Sequence, residues 1–242
     1  MAIEITFTDV SKSVPEKYFP YPATGAIPDW YKDLEPWVKN MDGARSYSPE
    51  KIAQTGKRCL PLFDAMTAGY IIPLAFDLYV GRDEKGEKRY SWPNADHMTN
   101  MRMGLEFHPH AQMHTFKKAK GYSAIPKISS PWAISTPSGY SVLVIPPLNR
   151  DDSPIEIFSG VMDTDLFNSS GSFPFLLSDP NFVGIIPAGT PFAQVIPFKR
   201  NDFKLRIGNK KDFEKIKNSD GIVGRSFRDA YRKYMHSKKR YR

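Results

Sequence analysis

The chain has 242 residues, of which 40% are hydrophobic and 13% aromatic, which is enough apolar material for a packed core and excludes wholesale disorder. A single cysteine, Cys59, excludes an intrachain disulfide and fits a reducing compartment. The net charge of +8 is unevenly placed: residues 199–242 balance at +11, and the 198 residues before them at −3.

In chain order, residues 1–66 read as an N-terminal arm with short helices. The opening MAIEITFTDVSKSVPEKYF has neither the basic nor the apolar region of a secretory signal, and no apolar run approaches the about 20 residues of a membrane-spanning helix. Pro28 and Asp29 suit the first turn of a short helix in PDWYKDL, and Trp30 and Trp37 are expected to pack on a neighbouring surface. Ser48, Pro49 and Glu50 read as the start of a second helix, running through IAQ toward Cys59 and cut short by Gly56 and Pro61.

Residues 67–200 read as β structure. GYIIPLAFDLYV predicts one strand with a proline irregularity, RDEKGEKRY a charged turn, and YSW the returning hairpin strand. MRMGLEF, PWAIST, YSVLVI, IEIFSGVM, FPFLL, FVGII and FAQVIPF follow as short strands at even spacing, which predicts an antiparallel barrel or sandwich. Residues 201–242 form a basic, helical tail, with Phe213, Ile216, Phe227, Tyr231 and Tyr234 at helical spacing.

Two segments stand out chemically. SGVMDTDLF (159–167) places Asp163 and Asp165 in a hairpin, and PAGTPFAQVIPF (187–198) places one amide, Gln194, in an otherwise apolar strand. The pair resembles the dUTPase-like barrel family, dUTPases and dCTP deaminases: Gly160 to Asp165 match its Gly-Val-Ile-Asp-x-Asp element, and Gly189, Ala193, Gln194 and Val195 match its Gly-x-x-Ile-Ala-Gln-Leu element. The resemblance implies that Asp163 orients an attacking water, that Phe167 stacks on a sugar, and that Gln194 lies near the phosphates, with Asp165, Asn149 and Arg150 as further nucleotide contacts. The sequence departs from the family at IPPLNR (145–150), where Pro147 replaces the phosphate-binding Arg, and it lacks the Gly-rich C-terminal arm. Triphosphate chemistry needs several positive or N–H groups, so the expectation is a barrel without efficient phosphatase chemistry. The plainer alternative is that the two aspartates shape a hairpin and Gln194 bonds backbone.

GLEFHPHAQMH (104–114) supplies His108, His110 and His114 as a weaker set of metal ligands for Zn or Fe, with Asp96 and His97 as spare donors. It is similar to the first cupin motif, although Phe192 stands where the second motif has a histidine. In the tail, Arg228, Arg232, Lys233, Lys238, Lys239 and Arg240 alternate with tyrosines, as in segments that contact phosphates and stack on bases; the same spacing also serves a helix docking on protein.

Across its whole length the chain resembles a family of tailed phages, T4-like and large marine ones, in IPDWYKDL (27–34), KRCLPLFDAMTAGYIIPLAFDLYV (57–80), SPWAISTPSGYSVLVIPPLNR (130–150), the SGVMDTD hairpin and IPAGTPFAQVIPFKR (186–200). That resemblance implies a phage origin and no known activity. The expectation is a mainly β, dUTPase-like barrel or sandwich with an N-terminal arm, a short helix and a basic C-terminal helix. The expected role is a non-enzymatic virion or interaction component without cofactor, in the virion or host cytoplasm. Its expected partners are further copies of itself, other phage proteins, or nucleic acid through the tail. The alternatives are a divergent nucleotide hydrolase or deaminase using Mg and, more distantly, a cupin-type Zn or Fe enzyme.

Overall fold

A computed structural model describes residues 3–39, 53–93, 104–167, 169–225 and 231–241. Its architecture is mainly β, with several antiparallel sheets and few helices. The chain divides into two compact units: the described residues of Met1–Lys32 and Ala65–Arg200 with Tyr241, and those of Asp33–Asp64 and Asn201–Arg240.

The larger unit holds three sheets. In the first, β1 (Thr6–Asp9) and β8 (Gly104–Pro109) pair along one edge of the long β9 (Ala124–Ser135), and β13 (Ser170–Leu177) with β11 (Ile155–Ile157) extends the other edge. In the second, the order is β12 (Gly160–Met162), β10 (Tyr140–Ile145), β15 (Pro191–Lys199), β5 (Tyr70–Pro73), β2 (Tyr21–Pro22). The third is β14 (Gly184–Ile186), β6 (Leu78–Arg82), β7 (Lys88–Ser91). The three share one core: Ile128, Ile134, Phe173 and Phe175 from the first meet Ile72, Val144 and Val195 from the second and Leu78 and Ile186 from the third. Phe173 and Phe192 meet edge-on at 5.9 Å, the geometry favoured by aromatic quadrupoles. A smaller cluster of Ala119, Tyr122, Ile125 and Leu176 is anchored by a hydrogen bond of 2.9 Å from Leu177 N–H to the Tyr122 hydroxyl.

No sheet closes on itself among the described residues; the sheets are open and packed on one another. Two expectations about single strands are corrected. GYIIPLAFDLYV is two strands, not one. After Pro73 the chain turns a corner, fixed by Leu74, which donates to Thr190 O at 2.9 Å and accepts from Gly189 N at 2.8 Å. IEIFSGVM likewise divides between β11 and β12, which lie in different sheets. The β6–β7 hairpin, the short helix α1 (Asp29–Asp33) and β10, β13, β14 and β15 fall where the pattern puts them. Gly69 is required where it stands: its φ is +69°, and a Cβ would lie 2.0 Å from Val195 O.

In the smaller unit β3 (Trp37–Val38) pairs with β4 (Ala53–Gln54). The helix expected through Ala53 and Gln54 is therefore a strand. Its expected cap, Ser48 to Glu50, lies outside the described residues. Thr55 instead accepts from Lys57 N–H at 3.2 Å and starts a 3-10 turn, and α2 (Leu60–Met66) follows with Pro61 in its first turn. Arg58 lies over the Trp37 ring at 4.5 Å. The basic tail contains α3 (Lys210–Arg225) and a single π-helical turn, Tyr231–Met235.

Candidate functional site

The turn after β12, expected as a hairpin, leads to a strand of another sheet and is organised by one arginine. Arg200, directly after β15, directs its guanidinium at both aspartates: 2.7 and 2.5 Å to the two oxygens of Asp165 and 3.2 Å to Oδ1 of Asp163. Asp165 also accepts from Gly139 N–H at 2.8 Å, and only 5% of its side chain is exposed. Arg200 and that N–H hold its carboxyl down at about 2, and Asp165, with Asp163, raises the arginine in return. Asp163 also accepts from the buried Ser141 hydroxyl at 2.7 Å, through the oxygen that meets Arg200, but 58% of its side chain is exposed. The Asp163 carbonyl closes the turn by accepting from Leu166 and Phe167 N–H at 3.0 and 2.8 Å. Leu166 and Phe167 then project outward, 75% and 44% exposed.

Gln194 is fully buried and has three partners. Its Oε1 accepts from Leu148 N–H at 2.9 Å, and its Nε2 donates to Ala65 O at 2.9 Å and Ala68 O at 2.7 Å. The amide therefore ties β15 to the end of α2 and to the turn after β10. Arg150, in the same turn, points inward. It donates to both oxygens of Asp152, at 2.9 and 2.5 Å, and to Ala26 O at 2.5 Å. Asn149 adopts a left-handed φ of 57°, and its carbonyl accepts from Trp30 Nε1 at 3.0 Å.

The two signatures at Gly160 and Gly189 are brought together through β10, which pairs with β12 on one side and β15 on the other. Asp163 and Asp165 share one site with Arg200. Asn149, Arg150 and Gln194 gather instead at the turn joined to the N-terminal arm. Arg200, Ser141 and Gly139 escaped sequence reading; the one trace of them is the cation that follows the apolar run of β15.

His108 lies on β8, while His110 and His114 lie in the following turn, where His114 Nδ1 is 2.9 Å from Ala111 O. No three metal-ligating side chains gather among the described residues. Asp96 and His97 lie outside them, as do Phe227 and Arg228. In the tail, His236 and Lys239 reach the Asp64 carboxylate at 3.0 and 2.6 Å, so Lys239 has a protein carboxylate as partner. Arg232, Lys233, Lys238 and Arg240 are exposed. No described helix is long and apolar enough to cross a membrane.

No family model and no curated protein matches the chain. Among solved structures it is similar to a mutant dUTPase of Staphylococcus bacteriophage 80alpha with dUpNHpp, at 12% identity and a TM-score of 0.30 over 59% of this chain and 76% of that one. A second is a mutant dUTPase from phage phi11 of S. aureus, which coordinates a structural Mg(II) ion, again at 12% identity and a TM-score of 0.30, over 60% of this chain and 86% of that one.

Proposed function

We propose that the protein is a non-enzymatic, phage-encoded β-sandwich component that acts by binding, as part of a particle or of an interaction with other proteins. The carrying observation is the internal engagement of the groups a nucleotide's phosphates would need. Gln194 is saturated by three backbone groups, and Arg150 is turned onto Asp152 and Ala26. A triphosphate brings about four negative charges, and stabilising its cleavage takes several converging cations or N–H donors. Arg200 is already matched by two carboxylates.

This reading needs no resident metal or cofactor. Its partners are further copies of the chain or other phage proteins, with nucleic acid as a second ligand of the exposed tail cations Arg232, Lys233, Lys238 and Arg240. One observation favours a nucleotide hydrolase as the second reading: Asp163 is more than half exposed and stands beside the projecting Phe167.

Purified protein incubated with a panel of nucleoside triphosphates and Mg decides between them. The expected outcome is no turnover above buffer. Multiple-turnover release of phosphate or pyrophosphate that disappears in Asp163→Asn establishes the hydrolase instead. Mass spectrometry of purified particles then distinguishes a virion component from a host-interaction factor.

A further inference from the structure

The β6–β7 hairpin carries more positive charge than its surroundings match. Arg82 and Lys88 lie directly opposite each other across it, and like charges in that position repel. Arg82 donates to three neutral oxygens: Gly86 O at 2.7 Å, Pro180 O at 3.1 Å and Asn181 Oδ1 at 3.4 Å. The Asp83 carboxylate in the turn is taken by Arg89. Lys88 is half-buried, and its ammonium lies 4.1 Å over the Tyr122 ring. Burial and the neighbouring Arg82 push its pKa down, and among the described residues no carboxylate pairs with it.

Lys88 and Tyr122 border a cleft of about 410 Å³, within the about 300–1,000 Å³ of small-ligand sites. One wall is the hairpin, residues 85–90; the other comes from the first sheet, with Phe107 of β8 and residues 121–124 leading into β9. Phe107 is 47% exposed and meets the Tyr90 ring at 6.0 Å. Among the described residues that line the cleft, Glu87 is the one carboxylate, against Lys85, Lys88 and Arg89. Behind the wall the Tyr90 hydroxyl is buried with no hydrogen-bond partner among the described residues. Native proteins leave few such groups unmet, so a spare donor stands behind an unmatched cation.

We propose that this cleft binds a small molecule with one carboxylate on a flat aromatic body, the carboxylate pairing with Lys88 and the ring packing on Phe107. Two arguments select that chemistry. The first is charge. A half-buried cation gains more from an opposite charge than an exposed one does, and a carboxylate beside Lys88 offsets both its burial and the repulsion from Arg82. One such cation calls for one negative charge; Glu87 in the same lining works against a polyphosphate. The second is shape. Phe107 offers an open ring face at the cleft wall, where a second ring stacks or meets it edge-on. The cleft is built from the first and third sheets, whereas the turn of Asp163 and Asp165 follows β12 of the second. The inference therefore does not depend on whether the protein turns over a nucleotide.

Amide NMR spectra of the isotope-labelled full chain, titrated with indole-3-acetate, test it. A probe of that size is expected to bind with a Kd on the order of 1 mM, with shifts centred on residues 85–90, 107 and 121–124. Indole-3-acetamide, the neutral isostere, is expected to bind wild type about tenfold more weakly. Lys88→Met is expected to weaken the acetate by about tenfold and Phe107→Ser by about fivefold, each keeping the far-UV circular dichroism of the wild type. The acetamide comparison is made on the unaltered chain, so it decides the charge argument even if a variant fails to fold. No shifts up to about 10 mM probe, or shifts centred elsewhere, overturn the proposal. So does equal affinity for the acetamide, or an acetate affinity unchanged in a folded Lys88→Met. Inorganic phosphate that binds the same residues as tightly as the probe overturns the aromatic carboxylate as the ligand class.

Discussion

β15 and the segment that follows it both read as strands, one as a nearly unbroken apolar run and the other as an alternation, and they meet opposite fates. PFAQVIPF is paired on both edges, to β10 and β5, and Phe192 through Val195 are at most 1% exposed. NDFKLRIGN, which follows after Lys199 and Arg200, leaves its three apolar residues at least 82% exposed. Alternation defines a strand, but it does not supply the neighbour the strand needs. Within β15 even the one polar side chain is matched, because α2 and the 146–150 turn bring backbone groups to it. Past Arg200 the chain offers a capped helix start and an uncovered face.

The contrast is broken most severely at Gln194. Gln194→Leu removes the fully buried amide that meets one N–H and two carbonyls of half-buried residues, and a loss of about 2–4 kcal/mol is expected in chemical denaturation. Tyr122→Phe removes one buried hydroxyl, the acceptor for Leu177 N–H; the same measurement is expected to show a loss of about 1–2 kcal/mol. At the end of β15 the effect is one of pH. Asp165 has its pKa lowered to about 2 in the folded chain, below the about 3.9 of a free aspartate. The stability it contributes is therefore complete above about pH 4 and disappears as pH falls through about 2. Acid-titration melts of wild type and Asp165→Asn are expected to differ most near neutrality and to converge across that window. The smallest effect belongs to the uncovered segment. Phe203→Ser/Leu205→Ser/Ile207→Ser is expected to change stability in the same denaturation by no more than about 0.5 kcal/mol, because all three side chains are at least 82% exposed.

The sequence discloses what local pattern controls. The hairpin around Gly86, the short helix at Asp29 and the late strands are set by turn residues and alternation inside a few residues. The mainly β class follows from the same signals. What stays hidden depends on partners distant in sequence. Leu74 turns a corner because Gly189 and Thr190 receive it, so an unbroken apolar run becomes two strands in two sheets. Residues 53–54 become a strand because Trp37 and Val38 pair with them. At the candidate site, the sequence points to Asp163, Asp165 and Gln194 as unusual but not to what engages them. Arg200 meets Asp165 across 35 residues, and Gln194 meets Ala65 across 129; no short-range periodicity encodes either.

Arg200 also sets the route by which force enters the fold. It is the last residue before the exposed segment 201–209, and it grips two carboxylates of the turn after β12, beyond the neighbouring strand β10. Its backbone N–H also donates to Gly139 O at 2.8 Å, so main chain and side chain are fastened at one residue. A pull on the chain beyond Arg200 meets the bond to the turn before β10 together with the bonds to the turn after β12, so the arginine is a mooring for the end of β15.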